Sequence, residues 1–579
     1  MKCFLGKCSA AIVVSICFLC CIAEGAQTTS SKPVPPAQVP AAQTSPVHIE
    51  VRADHEAGAW RPAWNYFGYD EPNYTYAPNG KKLLHELAAL SAGPVYIRTH
   101  NLFTSGDGSA SLKWGSTNVY TEGADGKPIY DWTIIDRIFD TYHEAGVKPL
   151  IELGFMPQAL SVHPEPYRHN FPQGSIFTGW AYPPKDYGKW AELVFQFTKH
   201  LRERYGDAEV KSWLWEVWNE PDIPYWKGTS EEYFKLYDYS SDAVRRALPG
   251  AHVGGPDATG PGSAKAIEFL RAFLEHCAHG QNYATGKRGA PLDFVSFHPK
   301  GAPKFQDGHI TMGLRRHLEI VQQGFEIVKS FPEWKNAPVI LGESDPEGCA
   351  ACSPVTHPED GYRNSSLYAA YTAETLSQIE ALAARNQINF QGAVTWAFEF
   401  EGQPYFVGYR DLATNGIDKP VLNGFRMFGL LHGPRLQVTS SGSVSMDEIL
   451  KSGVSGQSDV SAIATHEARQ ITVLVWNYHD EAGTSGPSPV ELDVAGIAPG
   501  VERALVEHFR VDGEHSNAYG EWLGMGSPQS PSEEQVKKLE SAGQLQLLTS
   551  PSWQDVHGHT LELNFDLPQE GLSLVRISW

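Results

Sequence analysis

Basic clusters are absent from this 579-residue chain, in which 67 Asp and Glu outweigh 46 Lys and Arg for a formal net charge of −21. That balance excludes nucleic acid and anionic membrane surfaces as natural partners. Cysteine is scarce beyond the start: Cys3, Cys8, Cys17, Cys20 and Cys21 crowd the N-terminus, and Cys277, Cys349 and Cys352 are all that follow. Those three cannot frame a disulfide scaffold, and no second Cys or His pair at ligand spacing completes a zinc site. One local disulfide, Cys349 to Cys352, fits an oxidising compartment and would leave Cys277 unpaired. No glycine-rich phosphate loop follows the first strand pattern, which argues against an open doubly wound nucleotide-binding sheet. No Gly-x-Ser-x-Gly marks a strand-to-helix turn, so a serine esterase is also excluded.

What is present begins with a leader-like segment. Lys2 and Lys7 precede the apolar run AAIVVSICFLCCIA and the small-residue exit Ala23-Glu24-Gly25, so residues 1–25 read as a secretory signal peptide. The run is too short for a membrane span. Leu19 and Cys20 precede Cys20 and Cys21, where lipid attachment would want a small residue. Localisation is therefore expected to be secreted or periplasmic, with no membrane insertion after cleavage. Residues 26–46 are rich in Pro, Ser, Thr and Ala and lack the apolar side chains that would offset ordering, so they read as a disordered linker.

From Val47 the chain is long enough for at least two domains. Apolar β-type runs alternate with amphipathic helical ones: strands are expected at 64–69, 95–99, 148–153, 213–218, 252–255, 293–298, 338–342 and 392–397. Helical patterns fill 81–90, 132–145, 186–205, 231–247, 264–278, 314–330 and 367–386. Roughly eight strand–helix repeats over about 350 residues predict a (β/α)8 TIM barrel over 47–430. After Leu431 the runs at 468–478, 504–511, 544–548, 560–565 and 572–579 are β-rich with few helices between, which predicts a β-sandwich domain over 431–579. The alternating VHIEVRA at 47–53 lies outside the barrel count and is expected to join that β-domain.

In such a barrel, active residues sit at the C-terminal ends of strands. Those ends carry Arg98-Thr99-His100-Asn101, Glu152, Trp218-Asn219-Glu220, Pro256-Asp257, His298, Glu343 and Trp396 with Glu399. Glu220 follows the apolar WLWEVW and precedes Pro221, which ends the strand ladder. Taken alone it reads as a loop cap. Glu343, after APVILG, stands across the barrel mouth, and two facing carboxylates suit glycoside hydrolysis. Asn219 is placed to bond a sugar hydroxyl. Among 16 Trp and 24 Tyr, Trp218, Tyr225, Trp226 and Trp396 lie beside these acids, as stacking faces or as plain core.

Several motifs carry a resemblance: FGYDEPNYTY, YIRTHN, KPLIELGFMP, WEVWNEPDIPYW, HVGGP, DFVSFHPKG and GESDP, with EHSNAYGEWLGMGSPQ in the tail. From about Trp64 to the C-terminus the chain resembles family 39 glycoside hydrolases, the group that includes β-xylosidases and α-L-iduronidases. The resemblance implies a retaining mechanism with Glu220 as acid/base and Glu343 as nucleophile. It places His100, Asn219 and His298 at the sugar subsite and implies no metal or organic cofactor. GFMP and the Glu514 loop look β-xylosidase-like, whereas His298-Pro-Lys300 and Glu343-Ser-Asp345-Pro look more like iduronidases, whose equivalent lysine and a later arginine bind a substrate carboxylate. Lys300 matches that lysine and Arg410 loosely matches the arginine. Lys300 is expected either to pair with an acid such as Asp345 or to read an acidic sugar. The expectation is a secreted retaining hydrolase of xylosides or xylo-oligosaccharides with a carbohydrate substrate as partner. The alternatives are an iduronidase-like hydrolase of uronic-acid glycosides, a non-catalytic carbohydrate-binding protein and an adhesive surface protein. Homo-oligomerisation stays open.

Overall fold

The computed structural model describes residues 45–110, 115–171, 174–484 and 486–579. The expected leader and most of the expected linker lie outside the described residues. Among the described residues no helix is long and apolar enough to cross a membrane.

Eight parallel strands close into a barrel in chain order: Tyr66–Tyr69, Tyr96–Thr99, Lys148–Leu153, Leu214–Val217, His252–Thr259, Val295–His298, Pro338–Leu341 and Asn389–Trp396. The ring shuts where Val394 of the eighth strand pairs with Tyr66 of the first. All eight coincide with expected runs. Strands buried on both faces must be apolar almost throughout, which is why they were legible. The helix after each strand packs outside: Pro78–Ala88, Thr133–Ala145, Tyr187–Tyr205, Ser230–Ala247, Ala264–His279, Leu314–Lys329, Ser366–Asn386 and Pro420–Gly429. Their starts are written locally. Asp186 accepts from the amides of Gly188 and Lys189, and Thr229 with Glu232 forms a reciprocal capping box.

The second layer is one nine-stranded mixed sheet. Its spatial order is Gln546–Asp555, Arg503–Val511, Leu572–Ser578, Gln470–Tyr478, Asp459–Glu467, Pro434–Ser440, Val47–Ala59, Ser488–Ala495 and Thr560–Leu567. The strand preceding the barrel in sequence sits inside this sheet, antiparallel to 434–440 and parallel to 488–495. Side chains from both arms, such as Val506 and Val494, share one apolar core, so the sheet folds over on itself as a sandwich. Strands 434–440, 459–467 and 488–495 carried weak signals: PRLQVTS and DVSAIATHE are half polar, and Pro489 reads as a breaker. Three helices, Met446–Ser452, Ala518–Gly524 and Glu533–Ala542, stand where few were expected.

Strand 470–478 explains how the layers join. Leu474, Trp476 and Tyr478 belong to the barrel's apolar cluster, while Ile471, Val473 and Val475 belong to the sandwich core. Alternate residues thus face opposite cores, and each fully buried Leu or Val there contributes about 1.5–3 kcal/mol.

Candidate active site

The C-terminal ends of the barrel strands are conformationally unusual. Asn101, Trp218, Glu220 and Asp257 have φ of 65°, 71°, 45° and 50° without being glycine. Left-handed backbone at such residues costs of order 1–3 kcal/mol each and persists where surrounding contacts over-determine it. Here the contacts are visible: the Glu220 amide donates to the Asp257 carbonyl at 2.8 Å, tying the fourth strand end to the fifth.

Arg98, fully buried on the second strand, is the hub. Its guanidinium donates to Glu343 at 3.2 Å, to Asn219 Oδ1 at 3.2 Å and to Glu216, and it lies 3.1 Å from Glu152 and 3.8 Å from Asp257. Glu152 and Glu216 face each other in register across the third and fourth strands. So many acids around one cation cannot all be ionised without cost. Burial, with Asp257 close by, pushes Glu216 well above the usual carboxylate range. Burial also penalises charged Asp257, but Arg98, a hydrogen bond with Glu216 and His298 hold it below that range. The pair therefore shares one proton, with the charge on Asp257.

The two candidate carboxylates converge above this floor. Glu343 is 5% exposed and meets Lys300 Nζ at 2.7 Å, with His100 and His298 each 3.7 Å away. Burial alone would raise its pKa, yet Lys300, His298, Arg98 and His100 together hold it well below the carboxylate range, so it is an anion. Glu220 accepts a 3.1 Å hydrogen bond from His298 Nδ1, whose Nε2 lies 3.1 Å from Asp257. Burial disfavours charge on His298, but Glu343, Asp257 and Glu220 around it push its pKa up to about 9. His100 lies between Asp70 at 2.6 Å and Glu152 at 2.7 Å and stacks against Trp396, ring centroids 4.3 Å apart. Its pKa rises because those two carboxylates outweigh burial.

Glu220, His298 and Glu343 each offer an atom within 4.8 Å of the others. That spacing could hold a metal ion. The chemistry of the donors points elsewhere: His298 bridges two carboxylates as a proton donor, and Lys300 and Arg98 already neutralise Glu343.

Of the residues expected at the site, His100, Asn219, Glu220, His298, Lys300 and Glu343 are brought together. Arg98 holds Asn219 Oδ1, leaving the amide nitrogen without a protein partner among the described residues. Trp396, 3% exposed, walls the site behind His100 and lies under the Arg98 guanidinium, 4.9 Å from its ring. Lys300 pairs with both Glu343 and Asp345, the latter at 2.9 Å. Arg410 differs from expectation. It is fully buried and donates to the Trp396 carbonyl at 3.0 Å and to Glu347 at 2.7 Å, reaching Lys300 only through Asp345 at 3.6 Å. Its guanidinium is held inside the wall, because three acceptors of the seventh- and eighth-strand loops surround it. Trp218 is likewise core, fully buried with its indole N–H on the Tyr225 carbonyl.

Arg98, Glu152 and Asp257 stood among the strand-end residues without an assigned role, whereas Glu216 and Asp70 were missed as functional residues. For Arg98 and Glu216 the signal was there: a charge inside VYIRT and inside WLWEVW cannot face an apolar helix layer and must face the barrel axis.

A family model described as "Glycosyl hydrolases family 39" matches residues 47–558. A β-xylosidase of Geobacillus stearothermophilus is 30% identical over 468 residues, 77% of this chain and 79% of that one. An α-L-iduronidase of Homo sapiens is 25% identical over 560 residues, 89% of this chain and 76% of that one. Among solved structures, a monomeric β-xylosidase from Caulobacter crescentus CB15 superposes with a TM-score of 0.71 at 23% identity, covering 92% of this chain and 99% of that one.

Proposed function

The chain belongs to glycosyl hydrolase family 39 and hydrolyses glycosidic bonds; from that premise we propose that it is a secreted retaining enzyme releasing xylose units from xylosides or xylo-oligosaccharides. The observation that carries the mechanism is the carboxylate spacing. Oxygens of Glu220 and Glu343 lie within 4.8 Å of one another, close to the roughly 5–5.5 Å separation of retaining pairs and short of the roughly 6.5–9.5 Å that admits an inverting water.

In the first step Glu343 attacks the anomeric carbon as the glycosidic C–O bond breaks, and protonated Glu220 delivers its proton to the leaving oxygen. In the second, Glu220 takes a proton from water, which displaces Glu343 and restores both groups. Lys300, Arg98, His298 and His100 keep Glu343 ionised, as a nucleophile must be. For the sugar, Lys300 supports a neutral pentose: its ammonium is already balanced by Glu343 and Asp345. A uronic-acid reading keeps one supporting observation, since the Lys300 side chain is 17% exposed at the mouth. Action outside the cytoplasm is supported by the leader-like start and by the Cys349–Cys352 disulfide.

The test is a panel of aryl xyloside, iduronide and arabinoside, run on the wild type, Glu343→Ala, Glu220→Ala and Lys300→Ala. Glu343→Ala should lose activity by about 10³-fold or more. Glu220→Ala should hurt poor leaving groups far more than activated aryl ones. NMR of the first-formed anomer should show retention. Inversion, or an active Glu343→Ala, sinks the mechanism; iduronide turnover lost specifically in Lys300→Ala would move the substrate to uronic acids.

A further inference from the structure

We propose that the Cys349–Cys352 disulfide is a positioning device for Glu343, closing the loop after the seventh strand so that a relay of buried ion pairs holds Lys300 against that carboxylate. The inference rests on the nucleophile assignment above and extends it to residues that touch no substrate.

Each link of the relay is explicit. The disulfide, Cα to Cα 5.5 Å, closes Cys349-Ala-Ala-Cys352. Three carbonyls of this short loop then point at one cation: Arg363 donates to Cys349 at 2.6 Å, to Ala350 at 3.3 Å and to Cys352. Arg363 is fully buried and also pairs with Glu347 at 2.7 Å. Glu347 in turn takes the Cys349 amide at 2.6 Å and Arg410 at 2.7 Å. Arg410 faces Asp345, Asp345 holds Lys300 at 2.9 Å, and Lys300 reaches Glu343 at 2.7 Å. The loop also receives the Arg410 backbone, whose N–H donates to the Ala350 carbonyl at 2.9 Å.

The relay has a direction of weakness. A guanidinium satisfied by converging carbonyls needs them to stay converged, and an open four-residue loop has no other covalent reason to keep them so. At the far end, Lys300 is the most exposed member and has the most freedom to leave Glu343 if Asp345 shifts. The groups facing Glu343 are Arg98 and His100 from the second strand, His298 and Lys300 from the sixth, Glu220 from the fourth and Tyr225 from the loop after it. Of these only Lys300 is linked to the loop through ion pairs, by way of Asp345, whose other oxygen accepts the Trp396 amide at 2.9 Å. Loosening the disulfide should therefore alter the ionisation of Glu343 while leaving the barrel floor intact.

The experiment measures kcat/KM against pH with the aryl glycoside the wild type turns over best. It compares the wild type, the Cys349→Ser/Cys352→Ser double variant, Arg363→Lys and, as a control, Cys277→Ala, whose free buried thiol lies elsewhere. The double variant should shift the acid limb upward by about half a pH unit or more and lower plateau kcat by about threefold to tenfold. Arg363→Lys keeps the disulfide but loses the planar fork and should shift the limb the same way; Cys277→Ala should shift nothing. A folded double variant with an unmoved acid limb overturns the proposal whatever its melting temperature. If that variant does not fold, an unmoved limb in Arg363→Lys overturns it. Glu343→Ala separates the two levels: if active, the nucleophile reading falls and this inference with it; if inactive beside an unmoved limb, only the role of the disulfide falls.

Discussion

His298 stands between Glu220 and Asp257, with Glu343 3.7 Å away, and carries no exposed surface on its side chain. An imidazole so placed binds its proton more tightly folded than unfolded, with a pKa of about 9 against the usual value of 6.5 because Glu343, Asp257 and Glu220 outweigh burial. The sign follows directly: the stabilisation is fully present below about pH 6.5 and is lost as pH rises through about 9. Its size is of order 3 kcal/mol. Urea unfolding of the wild type and of His298→Gln across pH 6 to 9.5 should therefore give a stability gap that narrows with rising pH. A gap constant over that window would count against a charged His298. At this scale the sequence was half legible. Glu220 and Glu343 were given roles because each ends an apolar strand; Glu152 and Asp257 were seen at strand ends without a role and Glu216 was not seen, because their meaning lies in sharing one cation and one proton, which only the folded geometry shows.

At the scale of the element, the seventh strand is followed directly by Gly342 for a steric reason. A Cβ at 342 would sit 2.1 Å from Asp257 Oδ1 and 2.7 Å from His298 Nε2, inside their ion pair. Gly68 on the first strand is similar, with a Cβ 2.3 Å from the Trp396 ring. Strand ends are thus pared to backbone where a neighbour's functional side chain must pass. Gly342→Ala should lower kcat at least tenfold and destabilise by about 1–3 kcal/mol, the usual range for forcing atoms into a packed site. Steady-state kinetics beside thermal unfolding check this, and near-normal kcat would mean that the His298–Asp257 contact is dispensable. The eight strands and seven of the helices were legible because burial on both faces of a strand, or on one face of a helix, imposes a period on the residues. Strand 434–440 was not, because its pairing with 47–59 supplies order that its own half-polar pattern does not announce.

Across the whole molecule, barrel and sandwich are joined through buried polar contacts as well as the shared core. Asp480 of the sandwich accepts the Leu314 amide at the start of the seventh-strand-preceding helix and the Val454 amide, with the Tyr478 hydroxyl on the same oxygen as Leu314. More telling is Glu374 on the helix after the seventh strand, fully buried, which accepts the Trp476 indole N–H at 2.6 Å. Burial, with Asp459 beside it, pushes Glu374 well above the usual carboxylate range, so it meets the sandwich as a neutral acid hydrogen-bonded to Asp459. A carboxyl whose folded pKa is raised contributes its stability at low pH and loses it as pH rises. Glutamine at this position offers a carbonyl to Trp476 and an amide N–H to Asp459 at every pH, and the Gln378 amide, which now donates to Glu374 at 2.8 Å, can turn to suit. Glu374→Gln should therefore match the wild type near pH 5 and exceed it increasingly toward pH 9. Calorimetry should show one transition for both proteins, since barrel and sandwich share strand 470–478. Two separated transitions would mean that the shared strand does not couple the layers. A Gln variant that melts lower at pH 9 would mean that Glu374 meets Trp476 as an anion, which its burial forbids.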